Sequence, residues 1–376
     1  MIMTEVELPW HRRLWQIAEE AGLVCCDVEF GTSAQRFRFQ YCSEDFEATS
    51  PARLAGRFLI ASITKPIVAM AVMKLVAEGR LSLSERVSDL FPEFRRADVR
   101  RILVRHLLTH TSGLPDMLPN NAELRSSHAS LEQFLAETFQ VDLDFPVATD
   151  CRYSSMGFLI LGAIIEKLTQ QKLAGYLQHT FFRPLNMPDS WLGFSESEAE
   201  QLMPTVFPCI LPDWQQAEDR TAADHWGWNS RYWRTLGAPW GGMISTSADL
   251  GNFAQLILGE GQLPDGSLLL PPDAVRVAIQ NQSAEIVSGS TAPRPWGLGW
   301  RRQWAAHPAS FGDLVGENTV GHWGATGTLL WIDPDHDRYA VILTTTPYEY
   351  SQSVIQRISN LVCGVLTTDQ QPDATP

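Results

Sequence analysis

The chain has 376 residues, 44% hydrophobic and 19% charged, enough for a sizeable core and too apolar for general disorder. Its 29 basic and 43 acidic residues leave a formal charge of −14 with no Lys/Arg cluster, which argues against nucleic-acid binding and against attraction to an anionic membrane. The longest apolar stretch, 156–165, is half of the roughly 20 residues a transmembrane helix needs.

The amino-terminal stretch carries two glutamates ahead of its basic residues and lacks the basic–apolar–small order of a secretory signal, so a cytoplasmic location is expected. Leu14, Ile17 and Ala18 share one face of a predicted helix. VCCDVEF and RFRFQYC read as two strands around a turn at Gly31-Thr32-Ser33, and GRFLIAS as a third strand running into a helix over 62–77. From there to about residue 290 the pattern is mainly helical, in ILVRHLLT, LEQFLAETF, the run 154–168, DLGNFAQLIL and PDAVRVAIQ. Strands return in WGLGWRRQ, TVGHW, GTLLWID and RYAVILTTT, the last two joined by a hairpin turn over 333–337. A final helix over 351–366 precedes a polar tail, 367–376, expected to fray. Strands at both ends with helices between predict a single α/β domain. Its sheet portion is 1–70 with 295–366, and a mainly helical subdomain spans 71–294. Six cysteines without CxxC spacing read as reduced, mostly buried thiols.

Three short segments bear on chemistry. Ser62-Ile63-Thr64-Lys65 places a serine and a lysine at i and i+3, on one face of the predicted helix and within mutual reach. A serine hydroxyl needs a base to become nucleophilic, and a partly buried lysine with a lowered pKa supplies one. On its own the tetrad also fits a helix-capping serine followed by a solvated lysine, although Lys65 is the one lysine of four so placed. Tyr153-Ser154-Ser155 opens the next long apolar helix, and alone it reads as packing. Gly321-His322-Trp323-Gly324-Ala325-Thr326-Gly327 lies on a late strand whose small residues allow close backbone approach.

Taken together and in this order, the three segments resemble the serine β-lactamase and penicillin-binding-protein superfamily. The likeness is greatest to its class C-like branch of β-lactamases, DD-peptidases, D-aminopeptidases and esterases. RHLLTHTSGLPD, FFRPLNMPDSWL, GAPWGGMISTSADLGNFAQLIL, PWGLGW and WIDPDHDRYAVILTT extend the resemblance over about residues 55–346. It implies the β-lactamase/transpeptidase-like fold, an antiparallel sheet from both termini flanked by helices. It also implies a serine hydrolase acting on a small ester or amide, with no metal and no cofactor. The resemblance makes Ser62 the acylated nucleophile, Lys65 its proton partner and Tyr153 a shared general base and acid. The backbone N–H groups of Ser62 and Ala325 would form the oxyanion hole. Ser155, His322, Trp323 and Gly324 would border the substrate.

Two residues depart from the family pattern. Ser155 stands where an asparagine usually braces the lysine and reads the acyl amide, and His322 where most β-lactamases have a carboxylate-binding lysine. Small esters are therefore expected to be turned over better than penicillins or cephalosporins. The β-lactamase or D-amino-acid peptidase activity and a catalytically silent binding or scaffold relative are the alternatives, and the oligomeric state is left open.

Other signals lead elsewhere. His106 and His110 are i, i+4, but no glutamate follows His106 as a zinc helix requires. Asp333, Asp335 and Asp337 mimic an EF-hand start, yet Arg338 and Thr344 occupy its glycine and glutamate positions. There is no GxSxG and no Gly-rich phosphate loop. Nine of the thirteen tryptophans crowd two stretches, Trp214, Trp226, Trp228, Trp233 and Trp240, then Trp296, Trp300, Trp304 and Trp323. Most are expected in the core, with Trp323 the foremost candidate for a pocket wall. Arg152 is expected in a surface ion pair rather than on an anionic ligand.

Overall fold

The computed structural model of the protein describes residues 8–44, 46, 48–210, 225–286, 295–304 and 310–368. The start of the amino-terminal stretch, Trp214 and the end of the polar tail lie outside the described residues. The first predicted helix forms as α1, Pro9–Glu20, with proline in its first turn, where the missing N–H has no intrahelical partner to lose. Leu14, Ile17 and Ala18 are its buried face. Strands β1 (Cys25–Gly31) and β2 (Arg36–Cys42) pair antiparallel, with Cys25 opposite Cys42 and Gly31 opposite Arg36.

The strand expected in GRFLIAS is cut to two residues, β3 (Phe58–Leu59), because the chain leaves it through a tight turn in which Ala61 adopts φ 46°. Helix α2 then runs over Thr64–Ala77, and all of residues 64–73 are buried. It is apolar all round, as a central helix must be, and each buried Ile, Val or Met contributes about 1.5–3 kcal/mol. The run predicted over 154–168 forms α3, Met156–Thr169. The mainly helical stretch also holds two strands that sequence did not show, β4 (Trp191–Leu192) and β5 (Met243–Ser245), ahead of α4 (Ser247–Leu258). These make a small sheet in the order β3-β5-β4. Two or three residues are too few to display an alternating pattern.

WGLGWRRQ yields a strand of only two residues, β6 (Arg301–Arg302). Before it the chain closes on itself at Gly297, where a Cβ would lie 2.3 Å from the Ala278 carbonyl oxygen, and at Gly299, with φ +77°. Strands β7 (Val320–Gly324), β8 (Thr328–Asp333) and β9 (Arg338–Thr344) then form an antiparallel meander, followed by α5, Tyr348–Thr368. Strand β9 lies against β1, so both chain ends build one six-stranded sheet, β2-β1-β9-β8-β7-β6. Every neighbouring pair in it is antiparallel.

Alternation along these strands sends side chains to two cores. Val28, Phe30, Leu329, Trp331 and Ile342 pack with Leu14 and Ile17 of α1 and with Ile355 and Ile358 of α5. Leu330, Ile332, Tyr339, Val341 and Leu343 pack with Ile67, Val68 and Met70 of α2 and with Phe253 of α4. The aspartates of the β8–β9 hairpin are structural, since Asp333 is fully buried and accepts from Arg338 Nε at 2.9 Å and the Gly316 N–H at 3.0 Å. None of the six cysteines is in a disulfide; Cys42 is half-buried and the other five are buried. Among the described residues no cluster of three or more His, Cys, Asp or Glu side chains is arranged to hold a metal ion. Among them, too, no helix is long and apolar enough to cross a membrane.

Gly327 makes the β7–β8 turn with φ +86°, and a Cβ there would lie 1.8 Å from the Thr346 carbonyl oxygen. Gly327→Ala is therefore expected to cost about 2 kcal/mol or more of stability. A thermal melt unchanged from wild type would contradict this.

Candidate active site

Ser62 sits on the turn between β3 and α2. The turn is pinned by three threonines: Thr64 Oγ1 donates to the Ala61 carbonyl at 2.7 Å, Thr326 Oγ1 to Leu59 at 2.5 Å and Thr328 Oγ1 to Ile60 at 3.0 Å. A non-glycine residue at positive φ is strained by about 1 kcal/mol or more, and here Ala61 carries it immediately before the serine. One helical turn on, Lys65 Nζ lies 3.1 Å from Ser62 Oγ and donates to the Trp240 carbonyl at 2.7 Å. Lys65 is fully buried, and that burial, helped by the like charge of Arg301 and opposed by Asp116, pushes its pKa down to about 7.

Tyr153 reaches the same oxygen from 91 positions away, its hydroxyl donating to Ser62 Oγ at 2.8 Å. The segment from Thr109 to Asp116 holds it there. Ser154 N–H donates to His110 Nδ1 at 3.0 Å, Ser154 Oγ to the Pro115 carbonyl at 3.0 Å, and Arg152 N–H to the His110 carbonyl at 3.0 Å. Burial raises the tyrosine pKa well above its usual value, with Arg301 and the bond to Ser62 acting the other way.

Strand β7 closes the third side. A Cβ on Gly324 would lie 2.3 Å from the Ile60 carbonyl oxygen, so only glycine lets this strand press against the serine turn. Ala325, next along, borders a cavity of about 420 Å³ together with Ser62, Tyr153, Trp228, Trp323 and Arg301. Trp323 is stacked on Tyr348, 5.6 Å between centroids and 10° between planes.

His322 and Ser155 sit differently from the rest. The His322 ring is buried, its Nδ1 is 2.6 Å from the Trp323 carbonyl oxygen, and burial with the charges of Arg301 and Lys65 holds it well below its usual pKa, so it is neutral. Ser155 is 2% exposed and donates to Asp116 Oδ1 at 2.6 Å; neither residue borders the cavity at Ser62. Ser155 thus braces an acid that lies within electrostatic range of Lys65.

Of the other sequence signals, Arg152 pairs with Asp150 at 2.6 Å. His106 caps its own helix, with Nδ1 accepting from the Leu103 N–H at 3.2 Å. Trp240 and Trp300 are core, Trp226 and Trp233 cover Arg125, and among the described tryptophans only Trp228 and Trp323 border the serine cavity. Trp296, one of the tryptophans grouped around the third motif, packs beside Tyr153 with ring centroids 5.9 Å apart, whereas Arg301 and Asp116 were not anticipated as part of the site. The segments of these two read as strand and loop, and nothing local marks them as neighbours of Tyr153.

A family model described as Beta-lactamase matches residues 14–361. The chain is 30% identical over 337 residues to "Esterase EstB" of Burkholderia gladioli, 81% of each chain. It is 28% identical over 299 residues to "Penicillin-binding protein 4" of Amycolatopsis lactamdurans, 76% of this chain and 71% of that one. A penicillin-binding-protein homologue from Caulobacter crescentus shares the fold at TM-score 0.73 and 19% identity, over 96% of this chain and 100% of that one.

Proposed function

The chain belongs to the Beta-lactamase family, and we propose that within it the protein is a serine hydrolase of small esters working through an acyl-enzyme on Ser62. One observation carries this reading, the convergence of Lys65 Nζ at 3.1 Å and Tyr153 Oη at 2.8 Å on one serine oxygen beside a cavity. A scaffold protein has no need of a fully buried lysine aimed at a serine.

Neutral Lys65 takes the Ser62 proton as Oγ attacks the substrate carbonyl carbon. The N–H groups of Ser62 and Ala325 receive the oxyanion, each such donor being typically worth about 10²–10³ in rate. Tyr153 gives its proton to the leaving alcohol and is reprotonated by the lysine ammonium. Water then attacks the acyl ester with the same groups in reverse, and Ser62 leaves with its proton restored. A fluorophosphonate probe is expected to add one phosphonyl group to folded protein, located on Ser62 by peptide mass spectrometry. A folded protein without that adduct would favour the silent binding relative.

The substrate preference follows from the walls. Trp228 and Trp323 offer apolar contact, Ser155 is committed to Asp116, and the His322 imidazole is neutral. An ester also needs less leaving-group protonation than an amide. In kcat/KM, p-nitrophenyl butyrate is expected to exceed nitrocefin by about 10²-fold or more. The reverse ranking would move the assignment to β-lactams or D-peptides, whose carboxylate would then face Arg301.

A further inference from the structure

Arg301 enters the site from β6, opposite Gly321 on β7 and so beside the strand that carries His322. Its guanidinium carbon lies 3.7 Å from the centroid of the Trp323 ring, 4.5 Å from that of Trp296 and 4.9 Å from that of Tyr153. Cations are attracted to aromatic faces, and three rings from separate stretches of the chain fix the position of this one. An arginine stays protonated at every working pH. The same side chain borders the serine cavity and a smaller one of about 90 Å³ lined by Trp304 and Phe311.

We propose that Arg301 is a positioning residue for the Ser62 proton relay: its caged charge, standing over Tyr153, favours the forms of Tyr153 and Lys65 that have given up a proton. The inference rests on the acyl-enzyme reading of Ser62.

The charges that face the relay come from few places. Lys65 points in from α2, 4.6 Å from the centroid of the Tyr153 ring. Asp116 approaches from the segment below Tyr153 with the opposite sign, raising both Lys65 and Tyr153. His110 and His322 are buried and held neutral. Tyr348 on α5 is kept protonated by burial, and Glu349 beside it is exposed at the outer rim. Arg302 turns away, donating to Asn318 Oδ1 at 2.6 Å. A neutral imidazole on β7 contributes no positive field, so Arg301 is the permanent cation that opposes Asp116 among the described residues. Its charge lowers Lys65, Tyr153, His110 and His322 alike.

The test is the pH dependence of Ser62 labelling by a fluorophosphonate, measured as a rate for wild type, R301M and R301K, with thermal melts to verify folding. Without the Arg301 charge Lys65 holds its proton to higher pH, so the acid limb of R301M is expected about one pH unit higher. On the alkaline plateau R301M should return to within a few-fold of wild type, and R301K, which keeps the charge, should bring the limb back down. If R301M melts early, R301Q reads the same limb. A limb that stays in place while the plateau falls would assign Arg301 a merely structural role and overturn the proposal. So would a limb equally displaced in R301K. Labelling of wild-type Ser62 tests the acyl-enzyme reading alone, and the displacement between labelled variants tests Arg301 alone.

Discussion

Replacing Ser62 by alanine is expected to lower turnover of p-nitrophenyl butyrate by about 10⁴-fold or more, since removing a nucleophile leaves only binding and oxyanion stabilisation. The geometry explains why nothing nearby can substitute. Lys65 Nζ and Tyr153 Oη both donate to the one oxygen, at 3.1 and 2.8 Å, and among the described residues no other hydroxyl receives either. The fold should survive. Ser62 is only partly buried, and Lys65 keeps its bond to the Trp240 carbonyl at 2.7 Å. The Tyr153 hydroxyl loses its partner, a cost of about 1–3 kcal/mol. Activity in purified S62A within about tenfold of wild type, with an unchanged melt, would rule out the acyl-enzyme.

Lys65→Met is expected to slow acylation by about 10³-fold or more and to remove a pH dependence that the wild type must show. Both neighbours of Ser62 Oγ act as donors in the resting site, so the serine proton can leave only when one of them becomes an acceptor. Lys65 is poised for this, its pKa pushed down to about 7 by burial. Wild-type kcat/KM should therefore rise with pH through about 7 and level off above it. The same shift has a stability consequence of definite sign. Between about 7 and the usual lysine value of about 10.4, the unfolded chain binds one proton more than the native protein at this position. Lys65 should make wild-type stability rise with pH across that window, and the difference between wild type and K65M should carry the slope. A wild-type profile flat from pH 5 to 9, or identical stability slopes in the two proteins, would show that Lys65 does not titrate there.

Local pattern determined a good deal of this protein. The apolar run after Ser62 had to be a central helix, and i, i+3 spacing on it brought Lys65 to Ser62 before any tertiary contact was known. The two continuous apolar runs of β8 and β9, split by Pro334 and the aspartates, were enough for the hairpin, and the order of three motifs carried the family. The two- and three-residue strands β3, β4 and β5 escaped, because a period of two cannot show itself over so short a span. The glycines that confined the strand in WGLGWRRQ to Arg301 and Arg302 act through close contact with Ala278 and Ala69, residues far away in sequence. Packing alone decided the chemistry of the site. It set Tyr153 on the oxygen of a residue 91 positions earlier, turned Ser155 to Asp116 and stacked Arg301 on three rings. The acidity of Lys65 and the neutrality of His322 depend on burial and on charges from other elements, and both exist only once the chain has closed around them.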